Sequence, residues 1–392
     1  MKKQLFLVLM LGGLLLTACN QPNGGGNVNV EDLGTKEIHT ELMKNYLADS
    51  WDSILTYVPW VSADTGSSSH RDEMLGDASQ PNPIKLEYAE VADADAYYVQ
   101  IAKDAKFENA KVVQSSEKFY NFYNSEIGQE YYFRASDNQD TLAQAKVKKF
   151  KVNDAAPRYV HVDGVINFRD VGGWSSSLVA GAKVKQGMYY RCAQFNNGNT
   201  KNITEEGMKA IKELNIKVDI DMRDSRNIPS VSPINSDDHP VEILAAPVAS
   251  STEDGRWEGD HNLDHNIAAT YKTIFEAIAV SDEKPIALHC THGADRTGIV
   301  SWFLLGLLGV SKDDCSRDYV MTRFAGERSV LPADDTRGKS EIVKWNQKTE
   351  AVEGETWAEK TYNHLVDLGI EANTLETIRE KFVPGYVRPA AA

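Results

Sequence analysis

The sequence predicts a multidomain protein in which a small all-β sandwich is followed by an α/β domain with a central, mostly parallel sheet flanked by helices. Between residues 82 and 153, short segments alternate apolar and polar residues, which is the period of half-buried strands. After Pro157, amphipathic helical segments alternate with short apolar segments, as in a parallel sheet covered by helices. The length of 392 residues accommodates both domains, and 42% hydrophobic and 25% charged residues are ordinary globular values.

The amino-terminal residues predict export. Two lysines precede an apolar run from Leu5 to Leu16, which is too short to cross a bilayer as a helix. The run ends in Leu-Thr-Ala-Cys at residues 16–19, which resembles the lipobox of bacterial lipoproteins. This resemblance implies a signal peptide over residues 1–18 and lipid on Cys19, and an ordinary signal peptide with an incidental cysteine is the alternative. Because the next residue is Asn and not Asp, we expect a lipid-anchored protein of the bacterial cell envelope, at the outer membrane, on a periplasmic or surface face.

The segments that follow carry weaker signals. Residues 19–35 predict a lipidated flexible tether, because residues 20–30 are rich in Gly and Asn and lack the apolar surface needed to pack. Residues 36–80 have no clear pattern apart from a candidate short helix through Glu41–Leu47.

Residues 81–155 predict the β-sandwich. Its strands are placed at Ile84–Tyr88, Ala96–Ile101, Ala110–Val113, Tyr131–Ala135 and Val147–Val152. The pattern resembles a fibronectin type III domain, one of the immunoglobulin-like sandwiches. Such a module either binds a protein or a glycan, or acts as a spacer that orients the next domain.

Residues 156–388 predict the α/β domain. Lys217–Met222 is expected to form a strand, and a helix around Ile267–Ala279 leads to the continuous apolar strand Ile286–His289, which is typical of a parallel sheet. Ile299–Val310 is apolar almost throughout but is only a dozen residues long, so we predict a buried helix and not a membrane span.

The charge balance excludes one class of partner. The chain has 42 Lys and Arg against 57 Asp and Glu, which gives a formal net charge of −15. Binding to the phosphate backbone of nucleic acid needs a basic surface, so no nucleic-acid partner is expected.

The four cysteines do not indicate a disulfide framework. Lipid would consume Cys19, and the remaining Cys192, Cys290 and Cys315 are an odd number, so an exported chain keeps at least one free thiol. A free thiol outside the cytosol is a candidate nucleophile. We interpret Cys192 and Cys315 as buried small hydrophobic residues and not as redox partners.

One segment between the strand Ile286–His289 and the next helix carries the chemistry. It reads His289-Cys290-Thr291-His292-Gly293-Ala294-Asp295-Arg296-Thr297-Gly298. The N–H groups of such a loop and the positive end of the helix converge on one point, which makes an anion site. Arg296 adds a planar fork for two anion oxygens, and the same field favours the thiolate of Cys290. Together they predict phosphoryl transfer through a phosphocysteine, without a metal or other cofactor.

This His-Cys-x5-Arg-Thr loop resembles the signature of the cysteine-dependent protein tyrosine phosphatase superfamily. The resemblance implies that His289 orders the loop and tunes the thiol, and that the hydroxyl of Thr297 assists the sulfur as leaving group. It assigns phosphate binding to Thr291, His292, Gly293, Ala294 and Thr297.

Three further segments resemble the bacterial tyrosine/serine phosphatase family, whose members act on phosphoproteins and phosphoinositides. They are Asn167–Gly173, Met188–Cys192 and Val218–Arg223, and the likeness extends from about residue 160 to 385. In that family the Asn-Phe-Arg-Asp segment braces the phosphate loop, which implies supporting roles for Arg169 and Asp170. The same supporting role is expected of Asp221 and Arg223 in the third segment.

Two departures from the family pattern affect the expected activity. Ala294 stands where several relatives have Lys, which weakens the implied phosphoinositide specificity. Relatives can carry an aspartate general acid after a Pro in the loop that follows the Asp-x-Arg strand, but here that position is Val248, which cannot donate a proton. Asp295 is the leading candidate acid, with Glu253 or Asp254 behind it. The alternative is that Asp295 only hydrogen-bonds the loop.

We therefore expect an exported, membrane-anchored phosphatase that hydrolyses phosphomonoesters, phosphotyrosine first, through Cys290 and Arg296. Phosphoserine, phosphoinositides and inositol phosphates are alternative substrates, although the net charge disfavours a polyanionic inositol phosphate unless the cleft is locally basic. A different class is a non-catalytic lipoprotein that binds phosphate or phosphopeptides. The intact Cys290 and Arg296 argue against it, because binding alone does not require the nucleophile.

Overall fold

The computed structural model describes residues 30–50, 80–89, 91, 94–196, 202–248, 265–281, 284–325, 342 and 345–389. The chain divides into two compact units. The β unit contains the described residues up to Ile38 and Asn82–Asp154, and the α/β unit contains those of His39–Pro81 and the chain from Ala155 onward. The predicted signal peptide, Cys19 and the candidate acids Glu253 and Asp254 lie outside the described residues.

The β unit consists of two sheets in its described residues, with one short 3-10 helix (Gln139–Gln144). Its strands are β1 (Glu31–Lys36), β2 (Ile84–Glu87), β3 (Tyr97–Ala102), β4 (Lys111–Ser115), β5 (Phe119–Phe122), β6 (Glu130–Ser136) and β7 (Lys148–Val152). One sheet has the order β1-β7-β6-β3-β4, and β2 pairs with β5. Alternate residues of β3 point into the core, and Phe133 and Phe150 lie at its centre. All five predicted strands are present, whereas β5 was not predicted.

Strand β1 corrects the prediction of a flexible tether over residues 19–35. It forms the edge of the five-stranded sheet and runs parallel to β7. Glu31 pairs with Lys146 (2.8 Å) and Asp32 with Lys149 (3.4 Å). Because the strand is held by backbone hydrogen bonds and charged side chains, it lacks the apolar alternation by which the other strands were recognised.

Helix α1 (Glu41–Ala48) confirms the candidate short helix through Glu41–Leu47, and it belongs to the α/β unit. Met43 and Tyr46 are buried in the core of that unit. The ring of Tyr46 packs edge-on against Phe324 with 5.1 Å between centroids, and its hydroxyl donates to the carbonyl of Arg317 (3.1 Å). The chain therefore contributes to the α/β unit before it forms most of the β unit.

The α/β unit is built on a six-stranded sheet with the order β12-β11-β13-β10-β9-β8. The strands are β8 (Arg158–Tyr159), β9 (Arg169–Asp170), β10 (Tyr189–Cys192), β11 (Val218–Asp221), β12 (Glu242–Ala245) and β13 (Ile286–His289). The strands β12, β11, β13 and β10 are mutually parallel, and β9 and β8 continue the sheet in antiparallel pairing. The sheet is therefore mixed: the two predicted strands, β11 and β13, are parallel neighbours, and β10 and β12 were not predicted as strands.

Six more helices of the α/β unit have defined bounds. They are α2 (Glu205–Glu213), α3 (His265–Val280), α4 (Asp295–Leu307), α5 (Lys312–Val320), α6 (Trp357–Asp367) and α7 (Ala372–Phe382). Helix α4 is buried from Arg296 to Leu307 and packs against α5 and α6, as its uniformly apolar sequence predicted. Among the described residues, no helix has both the length and the apolar character needed to cross a bilayer.

Candidate active site

The site lies at the edge of the sheet where the parallel strands end. His289, the last residue of β13, is in register with Cys192 of β10 and Asp221 of β11. Cys290 follows at once, and α4 begins at Asp295. Because the carboxyl ends of parallel strands share one edge, the segments after β10 and β11 flank the Cys290 loop, defined as residues 290–296.

The first four carbonyl groups of the Cys290 loop each accept a bond from a residue outside the loop. The bonds are Cys290 O from His289 Nδ1 (3.1 Å), Thr291 O from Gln194 N (3.2 Å), His292 O from Asn167 Nδ2 (3.0 Å), and Gly293 O from Asn167 Nδ2 (3.0 Å) and Arg191 Nη2 (2.7 Å). In a trans peptide the C=O and the following N–H point in opposite directions. The N–H groups that follow these carbonyls are therefore directed towards the inside of the loop, which is the arrangement that suits an anion.

Gly293 makes this turn possible. Its φ of +65° lies in the left-handed region, which other residues rarely adopt. A Cβ at this position would lie 2.3 Å from the carbonyl oxygen of Cys192, which is backbone and cannot move aside. The loop therefore requires glycine here for both its conformation and its approach to β10.

Cys290 lies at the base of the loop, where it is 3% exposed. Burial alone would raise the pKa of the thiol. The charge of Arg296, together with hydrogen bonds from the hydroxyl and the backbone N–H of Thr297, outweighs burial and lowers the pKa below its usual 9.0. The role of the Thr297 hydroxyl in assisting the sulfur as leaving group stays a prediction.

The side chain of Arg296 extends from the first turn of α4 back to the start of the loop. Its Nη1 donates to the carbonyls of Met222 (3.0 Å) and Val248 (3.1 Å), and its Nη2 lies 3.4 Å from the hydroxyl of Thr291. These contacts fix the plane of the guanidinium beside the anion site. A fixed planar fork of this kind can bind two oxygens of a phosphate.

His289 lies behind Cys290 and is fully buried. Its Nε2 is 3.0 Å from Asp219 Oδ1 and 3.9 Å from Asp221 Oδ2. Burial opposes protonation of the imidazole, but the charge of Asp219 outweighs burial and raises the pKa of His289 above 6.5. Ser232 holds the other oxygen of Asp219 (2.6 Å). The ring therefore presents a proton to the Cys290 carbonyl, which orders the loop.

Asp295, the predicted general acid, is half-buried at the junction of the loop and α4. The hydroxyl of Tyr319 lies 3.4 Å from its Oδ1. Burial raises the pKa of Asp295 above its usual 3.8, although Tyr319 and Arg296 oppose the change. A raised pKa favours the protonated form, which a general acid must have.

The predicted supports divide into those that reach the loop and those that do not. Arg169 bonds to Asn167 and Asp318, and Asn167 in turn bonds to the loop carbonyls. Asp170 corrects the prediction, because it bonds instead to Arg158 (2.9 Å) and to the backbone N–H groups of Gly172 and Gly187. Its place in β9 directs the carboxylate away from the loop.

Asp221 and Arg223 brace the other side of the site. Arg223 makes a two-pronged bond to Asp221, with Nη2 2.6 Å from Oδ2, and donates through Nη1 to the side chain of Gln194 (3.0 Å). Gln194 is the residue whose N–H holds the Thr291 carbonyl. The predicted supporting role is thus exerted through Gln194.

Five residues that contact the site were not assigned from the sequence: Asn167, Arg191, Gln194, Asp219 and Asp318. All but Gln194 are fully buried polar residues. A buried polar side chain needs a partner, so the charged residues of the apolar strands β10 and β11 were an available signal. The identity of the residue that each buried polar side chain bonds to depends on the tertiary fold.

The remaining thiols of the described chain are separate from the chemistry. Cys192 is in register with His289, so its side chain lies on the opposite sheet face from Cys290, in a different core cluster. Burial raises the pKa of Cys192 and of Cys315 well above 9.0. Among the described residues, no group of three or more His, Cys, Asp or Glu is arranged to hold a metal.

Comparison with known proteins places this site in a family. A sequence profile described as the tyrosine phosphatase family matches residues 160–388. A tyrosine-protein phosphatase of Nostoc commune is 34% identical over 65 residues, which are 17% of this chain and 22% of the relative. A putative tyrosine-protein phosphatase of Cupriavidus necator is 24% identical over 172 residues, which are 40% of this chain and 60% of the relative. The chain thus matches less than two thirds of the length of each curated relative.

Two solved structures were compared with the fold. TpbA of P. aeruginosa in complex with pTyr has 14% identity and a TM-score of 0.28, and the match covers 50% of this chain and 96% of that chain. The core catalytic domain of the PP-IP phosphatase SIW14 from S. cerevisiae has 13% identity and a TM-score of 0.26, with 44% and 96% covered.

Proposed function

The chain belongs to the tyrosine phosphatase family, and from this membership we propose that it hydrolyses phosphomonoesters, with phosphotyrosine as the first substrate. The observation that carries the proposal is the Cys290 loop: a thiol of lowered pKa lies at the base of converging N–H groups and beside the fixed guanidinium of Arg296. This combination stabilises both a bound phosphate and the charge that develops during its transfer.

The reaction proceeds in two steps. The sulfur of Cys290 attacks phosphorus, the bond from phosphorus to the ester oxygen breaks, and Asp295 gives its proton to that leaving oxygen. Water then attacks the phosphocysteine, Asp295 takes a proton from the water, and the sulfur leaves as a thiolate stabilised by Thr297 and Arg296. Inorganic phosphate is released and both residues regain their starting protonation.

The substrate class is part of the proposal. Phosphoinositides and inositol phosphates are the alternative substrates, and Ala294 supplies none of the extra charge that would favour them. A phosphate-binding lipoprotein without turnover is the alternative of a different class. The lowered pKa of Cys290 favours the enzyme, since a binding site gains nothing from a nucleophilic thiolate.

The cellular context is proposed from the sequence alone. We propose that the chain is exported and anchored through lipid on Cys19, because residues 1–19 match a lipoprotein signal. We also propose that the β unit is a fibronectin type III-like module that contacts a protein or a glycan or acts as a spacer. Its two sheets are compatible with a sandwich of that kind.

The test measures phosphate release by the full chain in detergent from p-nitrophenyl phosphate, phosphotyrosine and phosphoserine peptides, phosphoinositides and inositol phosphates. Cys290→Ser is expected to lower turnover by about a thousandfold or more, because the nucleophile is lost. Cys315→Ser is the matched control, since this thiol is equally buried and bonds to the Val310 carbonyl, away from the Cys290 loop. An unmutated chain that binds phosphate but releases none from any substrate would leave only the binding protein.

A further inference from the structure

Two arginines behind the Cys290 loop share a single aspartate. Asp318 of α5 accepts from Arg169 Nε at Oδ1 (2.7 Å) and from Arg191 Nη1 at Oδ2 (2.5 Å), and its carbonyl accepts from Arg169 Nη2 (2.6 Å). The side chains of all three are at most 1% exposed. We call these three residues the arginine cluster.

The arginine cluster carries one net positive charge. Burial would raise the pKa of Asp318, but the charges of Arg169 and Arg191 outweigh burial and lower it, so the carboxylate is ionised. One carboxylate then faces two guanidinium groups. A buried charge without a counter-charge is costly, so a net positive cluster favours an anion close by.

The second terminal nitrogen of Arg191, Nη2, connects the arginine cluster to the loop. Arg191 Nη2 donates to the carbonyl of Gly293 (2.7 Å), with a longer contact to the carbonyl of Ala294 (3.4 Å). Each carbonyl that faces Arg191 directs the N–H on the other side of its peptide plane inward. The two N–H groups concerned belong to Ala294 and Asp295, at the entry to α4.

We propose that Arg191, held by Asp318, is a positioning residue of the phosphate site that directs the N–H groups of Ala294 and Asp295 at the bound phosphate. The proposal rests on the proposed function, in which this loop binds phosphate. Lysine cannot replace Arg191, because a single ammonium does not span the distance from the Asp318 carboxylate to two carbonyls.

A second buried ion pair in the same sheet provides the comparison. Arg158 and Asp170 form an ion pair at 2.9 Å, with side chains 4% and 0% exposed. Asp170 also accepts from Gly172 N and Gly187 N, which lie outside the Cys290 loop. Substitution of Arg158 therefore measures the structural cost of changing a buried, ion-paired arginine of this sheet.

The experiment compares Arg191→Lys with Arg158→Lys in the full chain in detergent. Iodoacetamide alkylation of Cys290, located by peptide mass spectrometry, is followed against pH and against inorganic phosphate as protectant. In Arg191→Lys the pKa of Cys290 is expected to rise, and protection is expected to need about tenfold more phosphate, because two charge-assisted contacts that orient donors are lost. In Arg158→Lys both values stay as in the unmutated chain, even where the melting temperature falls.

Equal phosphate protection and an equal alkylation profile in both variants would overturn the proposal, and Arg191 would be a structural residue only.

The unmutated chain gives a second measurement that does not depend on folding of a variant. Labelling glycine with 13C at the carbonyl and alanine with 15N selects two amides, Ala294 and Ala182, because the sequence has only two Gly-Ala pairs. Phosphate is expected to shift Ala294 and leave Ala182 unchanged; protection of Cys290 without a shift of Ala294 would also overturn the proposal.

These outcomes separate the two proposals. If phosphate fails to protect Cys290 in the unmutated chain, the loop is not a phosphate site, and the proposed function and the positioning role both fail. If phosphate protects but no substrate is turned over, only the enzyme fails. If turnover is normal and Arg191→Lys behaves as Arg158→Lys, only the positioning role fails.

Discussion

The proposed first step requires Cys290 and Asp295 to hold opposite protonation states. The thiol must be ionised, and its lowered pKa extends activity to lower pH. The carboxyl must be protonated, and burial raises its pKa towards the working range. The Cys290 thiolate therefore sets the acidic limb of the rate profile, and Asp295 sets the alkaline limb.

Asp295→Asn is expected to lower turnover of phosphotyrosine and phosphoserine peptides by about 10²- to 10⁴-fold, because their leaving oxygens need a proton. Turnover of p-nitrophenyl phosphate, whose leaving group needs little protonation, falls much less, and the alkaline limb disappears. The measurement is kcat against pH for each substrate.

Asp224→Asn is the matched control for Asp295→Asn. Bonds from the side chain and backbone of Arg226 lower the pKa of Asp224 to about 2, so this carboxylate is ionised and cannot act as the acid. Its substitution leaves the ratio of peptide to p-nitrophenyl phosphate turnover unchanged. An Asp295→Asn variant with that same unchanged ratio would assign Asp295 to hydrogen bonding alone.

Among the elements, the turn between β13 and α4 has the strictest conformational requirement. Gly293→Ala is expected to abolish phosphate protection of Cys290, because the added Cβ meets the Cys192 carbonyl oxygen at 2.3 Å. Gly181→Ala is the control, since Gly181 has a comparable φ of +75° but open space around it. Both variants bear the cost of positive φ, about 1–2 kcal/mol in the free energy of unfolding. Loss of protection in both, or in neither, would contradict the argument.

The sequence predicted the elements that carry their own local signal. The apolar strand Ile286–His289, the uniformly apolar helix that follows it and the helix around Ile267–Ala279 are all present. Strand β1 escaped prediction because an edge strand needs no apolar face.

The contacts that order the loop depend on residues far apart in the chain. Arg169 and Asp318 are 149 residues apart, and Asn167 and Gly293 are 126 apart. No local pattern encodes such pairs. The proposed nucleophile Cys290 and Arg296 could be singled out because they share one short loop, whereas the residues that bond to the loop became visible only in the fold.

At the scale of the whole molecule, the chain does not complete the β unit before it begins the α/β unit. The chain contributes α1 to the α/β unit, then forms β2 to β7 of the β unit, and returns to the α/β unit at Ala155. The stability of the α/β unit should therefore depend on a residue that precedes most of the β unit in sequence.

Tyr46→Ala tests this dependence. Tyr46 is fully buried and packs on Phe324, so its truncation is expected to lower the free energy of unfolding of the α/β unit by roughly 3–5 kcal/mol. All seven tryptophans lie outside residues 1–38 and 82–154, so tryptophan fluorescence during urea unfolding reports on the α/β unit. Phe150→Ala removes an equally buried ring from the β unit and should leave that transition in place. If Tyr46→Ala moved the tryptophan transition no more than Phe150→Ala does, α1 would not be part of the core that carries the Cys290 loop.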